Sequence, residues 1–186
     1  SSFSAGLDIG FGPLLMGVIL TLSMGSYGDL QTELLLASAY SVGFIFVILG
    51  RSELFTEHTT LAVMPVIDGE ASIKKLGRLW GIVYAGNIIG GLVFTALAVL
   101  LMPGLGVITP EAFGTIASKL VTHPLHWLLI AGVFAGWLMG LLAWLISSAE
   151  NTISRVFFIW MVTATIGMLH LPHSIAGNVE VLMGLF

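Results

Sequence analysis

Gly50-Arg-Ser-Glu-Leu-Phe-Thr56 and Gly167-Met-Leu-His-Leu-Pro-His173 are the two stretches on which the fold turns. Each interrupts a long apolar run with charged or polar groups, and in each the polar residue of interest, Thr56 or His173, stands six positions after a glycine. An ionisable group in hydrocarbon costs roughly 2.5 kcal/mol or more, so it persists only where it faces a protected or wet interior. Paired interruptions at corresponding places in two halves of a membrane protein point to a substrate pathway.

Composition sets the class. The chain has 186 residues, is 57% hydrophobic and 9% charged, and has a mean hydropathy of +1.05. Soluble domains carry about 25% charged residues, so this is a polytopic α-helical membrane protein whose surroundings are the lipid bilayer. The net charge of −4 forms no patch, which argues against nucleic acid as a partner. No cysteine is present, so disulfides and thiolate metal sites are excluded. No tight carboxylate cluster suggests a metal either, and no cofactor is expected. The first residue is Ser1 and no basic segment precedes the first apolar run, so no signal peptide is read and the amino terminus is expected to be trimmed.

A span needs about 20 mainly apolar residues. Phe3–Met24, Leu34–Met64, Leu76–Met102, Leu125–Ile146 and Val156–Phe186 are the candidates. The second and fifth are too long for one straight span and too interrupted for two. Each is expected to be a broken helix whose irregular backbone is buried in protein or lines a cavity. The breaks are placed at 50–58 and 168–174, meeting near the bilayer midplane.

Lys74, Lys75 and Arg78 lie between the second and third spans, and Arg155 between the fourth and fifth. The stretch from Pro103 to Pro124, read as a loop, carries only Lys119. Basic residues favour the cytoplasmic side, which puts the 103–124 stretch outside and the amino terminus inside.

Setting Gly50 on Gly167 brings Leu54 onto Leu171 and Thr56 onto His173. The first and fourth spans then start on opposite sides, so two three-helix units of opposite topology are expected in one transmembrane domain, 1–186, with repeat one over about 1–102 and an incomplete repeat two over about 110–186. The third helix, Trp80-Gly-Ile-Val-Tyr-Ala-Gly-Asn-Ile-Ile-Gly-Gly91, carries a GxxxG pair at Gly86 and Gly90 suited to close packing. A sixth span is expected to be missing from this chain by truncation.

At these residues the chain resembles the formate/nitrite transporter family, whose members form channels for formate, nitrite and hydrosulfide. The resemblance rests on Glu53-Leu54-Phe55-Thr56 in the broken second helix and on His173-Ser174-Ile175-Ala176 followed by Gly177-Asn178 in the broken fifth. Trp80, Gly86, Asn87 and Gly90 match the family's third-helix pattern. The resemblance implies an all-α, aquaporin-like fold, an inner-membrane location and a homopentamer with one pore per protomer. It makes His173 the central pore histidine and Thr56 its partner on the second-helix loop. It assigns Leu54, Phe55 and Ile166 to an external constriction, Tyr40 and Phe44 to a cytoplasmic one, and Lys119 to anion attraction.

Two positions depart from the family pattern. Gly136 stands where an asparagine often faces the histidine, and Pro172 stands where a glutamate often precedes it. Arg51, Glu57 and His58 are further charged or titratable residues unlike those of the formate channels. The plainer readings run beside the sharper ones. His173 could bridge helices, and Thr56 could cap the half-helix that follows. Arg51 and Glu53 are expected to pair structurally, because paired charges cost less than lone ones. His170 is expected to be structural, and His123 and His126 to lie at the interface.

The function expected is a membrane channel or transporter for small monovalent anions of weak acids, not an enzyme. A central histidine titrates near neutral pH, so it could pair with the anion as imidazolium or lend it a proton for the low-dielectric crossing. A neutral-solute channel and a non-conducting scaffold or sensor are the alternatives. A hydrolase using Ser174 is disfavoured, because adjacency to His173 gives poor nucleophile–base geometry and no Gly-x-Ser-x-Gly occurs.

Overall fold

The structure is a computed structural model. It describes residues 1–23 and 26–186, with the side chains of His58 and Thr60 also outside the description. The described chain is all-helical: α1 Ser2–Ile9, α2 Phe11–Ser23, α3 Asp29–Leu49, α4 Phe55–Ile67, α5 Ile73–Gly104, α6 Pro110–Val121, α7 Leu125–Ser148, α8 Thr152–Met168 and α9 Ala176–Leu185. Ser2–Ser23, α3, α5 and α7 are each long and apolar enough to cross a membrane, and α8 is a shorter apolar helix.

α1 and α2 form one kinked span. Pro13 has no N–H to give to Ile9, and its ring crowds that carbonyl. The backbone tightens there, Gly10 N donating to Leu7 O at 3.2 Å, while Gly10 itself stays right-handed helical. The expected end of this span, Met24, lies outside the described residues.

Both expected helix breaks are present, and both helices end in the same way. After α3, Arg51 N donates to Ile48 O at 3.2 Å and Ser52 N to Val47 O at 2.9 Å. After α8, His170 N donates to Gly167 O and Leu171 N to Ile166 O, each at 3.1 Å. These are Schellman closures, with a left-handed residue at the first position past the cap. The left-handed residues are Arg51 (φ 56°) and His170 (φ 50°), although that conformation usually falls to glycine.

This geometry corrects the sequence register. The helix ends match Arg51 with His170, so Gly50 and Gly167 are not equivalent. The first break is Gly50–Leu54, shorter than expected, and the helix resumes at Phe55. The second runs from Leu169 to Ile175, two residues longer than the first and one residue later than expected. Thr56 is therefore on the first turn of α4, not in the loop, and it is not the cap, which is Leu54.

The 103–124 stretch is not a loop. α5 continues to Gly104, and Pro110–Val121 forms α6 with Pro110 in its first turn, where the missing N–H is harmless. Ala112, Phe113, Ile116 and Ala117 make its buried stripe. α9 lies against this stripe so tightly that a Cβ on Gly184 would come 2.3 Å from the Ala117 Cβ. α1 and α5 approach as closely, since a Cβ on Gly90 would stand 2.2 Å from Phe3 O and one on Gly6 2.2 Å from Asn87 O. Small residues here allow backbone contact, as the Gly86 and Gly90 pair suggested.

Candidate functional site

The second break meets the first turn of α4 at His173 and Thr56. Thr56 Oγ1 and His173 Nε2 are 2.7 Å apart, although 117 residues separate them in sequence. His173 is buried, and the other edge of its ring faces the start of α9, where Nδ1 accepts from Ile175 N at 3.3 Å and Ala176 N at 3.1 Å. A nitrogen that accepts cannot carry the proton. The neutral ring therefore has its hydrogen on Nε2, which donates to Thr56 Oγ1. His173 is both the cap of one half-helix and a donor to the other.

The start of α4 is capped from a different element. Asn87, fully buried on α5, accepts from Phe55 N at 2.8 Å through Oδ1. Its Nδ2 donates to Ser2 O at 2.7 Å and Glu53 O at 2.8 Å. One amide thus holds α1, the first break and the first turn of α4 together. Ser52 Oγ donates to Asp8 Oδ2 at 2.9 Å, and Glu53 accepts from Ser1 Oγ, which ties the same break to α1. The expected Arg51–Glu53 pair is not made among the described residues. The left-handed backbone leaves Arg51 exposed, while Glu53 turns to α1.

These caps occupy N–H groups that a half-helix end can otherwise offer to an anion. Phe55 N, Ile175 N and Ala176 N go to side chains, and Gly177 N goes to His173 O at 2.8 Å. The partial positive charge of the helix ends remains, but these four N–H groups are already used by the protein.

Aromatic and aliphatic side chains surround the pair. The rings of Phe44 and His173 meet edge to face with centroids 5.0 Å apart, and Tyr40 follows Phe44 at 5.1 Å. Phe55 packs edge-on against Tyr84 at 5.2 Å and Trp80 at 6.3 Å. Leu54 and Ile166 are completely buried. The grouping differs from the expected one. Tyr40 lies against Gly167, next to Ile166, a Cβ on that glycine coming 3.2 Å from the Tyr40 ring. Leu54 and Phe55 follow the far end of α3, so Ile166 groups with Tyr40 and not with them. Phe44 stands at the level of His173 itself.

A cavity of about 310 Å³ opens beside the pair, bounded by Phe55, Thr56 and Thr59 of α4, by Gly136 and Met139 of α7, and by Pro172 with His173. A Cβ on Gly136 would meet nothing within 4 Å. A wider apolar groove of about 820 Å³ reaches His173 from between α6, α7 and α9. Lys119, on α6, pairs with Glu33 Oε1 at 2.6 Å, and Glu33 Oε2 is 3.5 Å from His170 Nε2. The sequence reading missed Glu33 and the capping roles of Asn87 and His173. A buried asparagine in an apolar helix was the available signal, since its amide must find partners.

A bundle of apolar helices, two of them broken where polar side chains cross in a buried centre, defines a multi-pass membrane protein with an internal polar site. The sequence pattern described as "Formate/nitrite transporter" matches residues 1–186, and the chain belongs to that family. It is 31% identical to "Inner membrane protein YfdC" of Escherichia coli (strain K12) over all of this chain and 59% of that protein. It is 30% identical to "Nitrite transporter NirC" of Salmonella typhimurium, covering 95% of this chain and 64% of NirC. The chain thus spans about three-fifths of the length of these relatives. Among solved structures, a "Pentameric formate channel with formate bound" superposes with a TM-score of 0.84 at 26% identity, over 99% of this chain and 72% of that one. The fold is that of these channels, and the protein resides in the inner membrane, which it crosses repeatedly.

Proposed function

We propose that this chain forms the conducting core of a channel or transporter for small monovalent weak-acid anions, with formate and nitrite as the type substrates. The observation that carries the reading is the Thr56–His173 contact, which joins the second break to the half-helix that follows the first, beside a cavity of about 310 Å³. The Thr56 hydroxyl, polarised by the imidazole N–H that donates to it, offers a small anion a donor in a low-dielectric setting, where an unmatched charge is costly. The reading assigns no chemical step to the chain. Relatives named as formate channels and nitrite transporters support it. His173 and Thr56 are the central site; Leu54 with Phe55 and Tyr40 with Ile166 are the apolar walls on its two sides, and Phe44 packs on the histidine.

The assembly we propose is a homopentamer with a pore in each protomer, as in the pentameric formate channel that shares the fold. We also keep the proposal of two inverted units, about 1–102 and 110–186, supported by the matched Schellman closures after α3 and α8. Two measurements test the reading. Proteoliposomes holding the protein should take up labelled formate or nitrite faster than empty ones, and the purified protein should give a five-protomer mass in mild detergent. Uptake equal to that of empty vesicles removes the transport reading, and a stable monomer or dimer removes the pentamer.

A further inference from the structure

One charge arrangement lies outside the central site. Glu33, near the start of α3, uses both carboxylate oxygens on groups from other elements: Oε1 lies 2.6 Å from Lys119 Nζ of α6, and Oε2 lies 3.5 Å from His170 Nε2 at the end of α8. α9 runs along α6, with Leu120 near Gly177 and Ala117 near Gly184. That packing sets the buried Glu180 beside Lys119, within its electrostatic reach. Lys119 thus faces two acidic side chains. Glu33 and Lys119 each keep about a third of their side chains exposed, and Leu120, next to Lys119 in sequence, lines the groove that reaches His173, so the mouth of that groove lies beside the pair.

An ammonium in contact with a carboxylate presents a dipole to a third charge. The field of a dipole falls off faster than that of a lone charge, so the pair attracts a distant anion far less than a free lysine does. Substituting the carboxylate by its neutral isostere returns the full charge to the mouth.

We propose that Glu33 is a specificity-determining residue of this pathway: by engaging Lys119 it withholds the lysine's charge from entering anions. A permanently ionised anion then gains little at the mouth, whereas a weak acid that can enter in neutral form is not penalised. The inference rests on the transport reading for its consequence, and on the Glu33–Lys119 geometry for its cause.

The test uses Glu33→Gln, Lys119→Gln and the double variant in proteoliposomes. Uptake of nitrate, the anion of a strong acid, is compared with that of formate. Glu33→Gln should raise the nitrate-to-formate ratio several-fold, and Lys119→Gln added to it should return the ratio to the starting value. Lys119→Gln alone should lower the ratio, because it leaves the Glu33 carboxylate without its partner at the same place. A ratio unmoved by Glu33→Gln overturns the proposal, as does a ratio that stays raised in the double variant. A second readout needs no transport: labelling of Lys119 by a sulfonated amine-reactive ester, followed by peptide mass spectrometry. Glu33→Gln should speed this labelling several-fold, and an unchanged rate overturns the proposal. Faster labelling without formate uptake by any form would uphold the charge coupling and overturn only the transport reading.

Discussion

Thr56 and His173 share one short hydrogen bond across the centre of the molecule, 2.7 Å long and 117 residues apart in sequence. His173 can make it only because its Nδ1 is engaged by Ile175 N and Ala176 N at the start of α9. The tautomer, the cap and the contact between the breaks are therefore one arrangement. Moving the second break moves the donor that faces Thr56.

The first prediction concerns the central histidine. The structure holds His173 as a buried neutral ring whose Nδ1 accepts from Ile175 N and Ala176 N, so its substitution removes a donor and a cap. In proteoliposomes, His173→Ala should take up formate several-fold more slowly than wild type at every pH tested, while His170→Ala should keep most of the uptake. Equal effects of the two substitutions on the uptake profile would show that the central site is elsewhere.

Asn87 gives a prediction on stability. Asn87→Leu keeps roughly the same volume but leaves Phe55 N, Ser2 O and Glu53 O without their partner. A buried polar group left unsatisfied costs about 1–3 kcal/mol, so thermal unfolding in detergent should shift down clearly. Asn87→Asp should do no better. It can still accept from Phe55 N, but it places negative charge against two carbonyls. A melting temperature equal to wild type for the leucine variant would rule out the clamp.

Close helix contact predicts an asymmetry among glycines. Gly90→Val must push Phe3 O away from 2.2 Å, and overpacking of this kind costs about 1–3 kcal/mol. Gly77→Ala, where nothing stands within 4 Å, should be neutral or slightly stabilising because it reduces the freedom of the unfolded helix. Thermal melts of the two variants side by side decide the matter.

Much of this was legible in the sequence, and the parts that were not share a physical cause. The apolar runs and their two interruptions fixed the broken helices, because polar groups at those depths leave few alternatives. Register within the breaks was not legible. Gly50 and Gly167 were the obvious markers, yet the left-handed positions fell to Arg51 and His170, residue types that ordinarily leave that conformation to glycine. α6 hid behind its flanking prolines, although Ala112, Phe113, Ile116 and Ala117 already carried a helical stripe. Side-chain partners such as Glu33 with Lys119 and Asn87 with Phe55 join residues distant in sequence, and no local pattern announces them.

Arg51 supplies the last prediction. It closes α3 in a left-handed conformation at φ 56°, exposed to its surroundings, and makes no ion pair among the described residues. A non-glycine residue in that region costs roughly 1 kcal/mol. Arg51→Gly should therefore stabilise the protein or leave it unchanged, despite the loss of a charge, because glycine adopts the conformation without steric conflict. Arg51→Val should destabilise it by more than 1 kcal/mol in rough terms, since a β-branched side chain fits that region worst. Formate uptake should follow the same order, because the Schellman closure at Arg51 fixes where Leu54 and Thr56 begin the next helix. If the glycine variant melts lower than the valine variant, the Arg51 side chain, not its backbone, is what the first break needs.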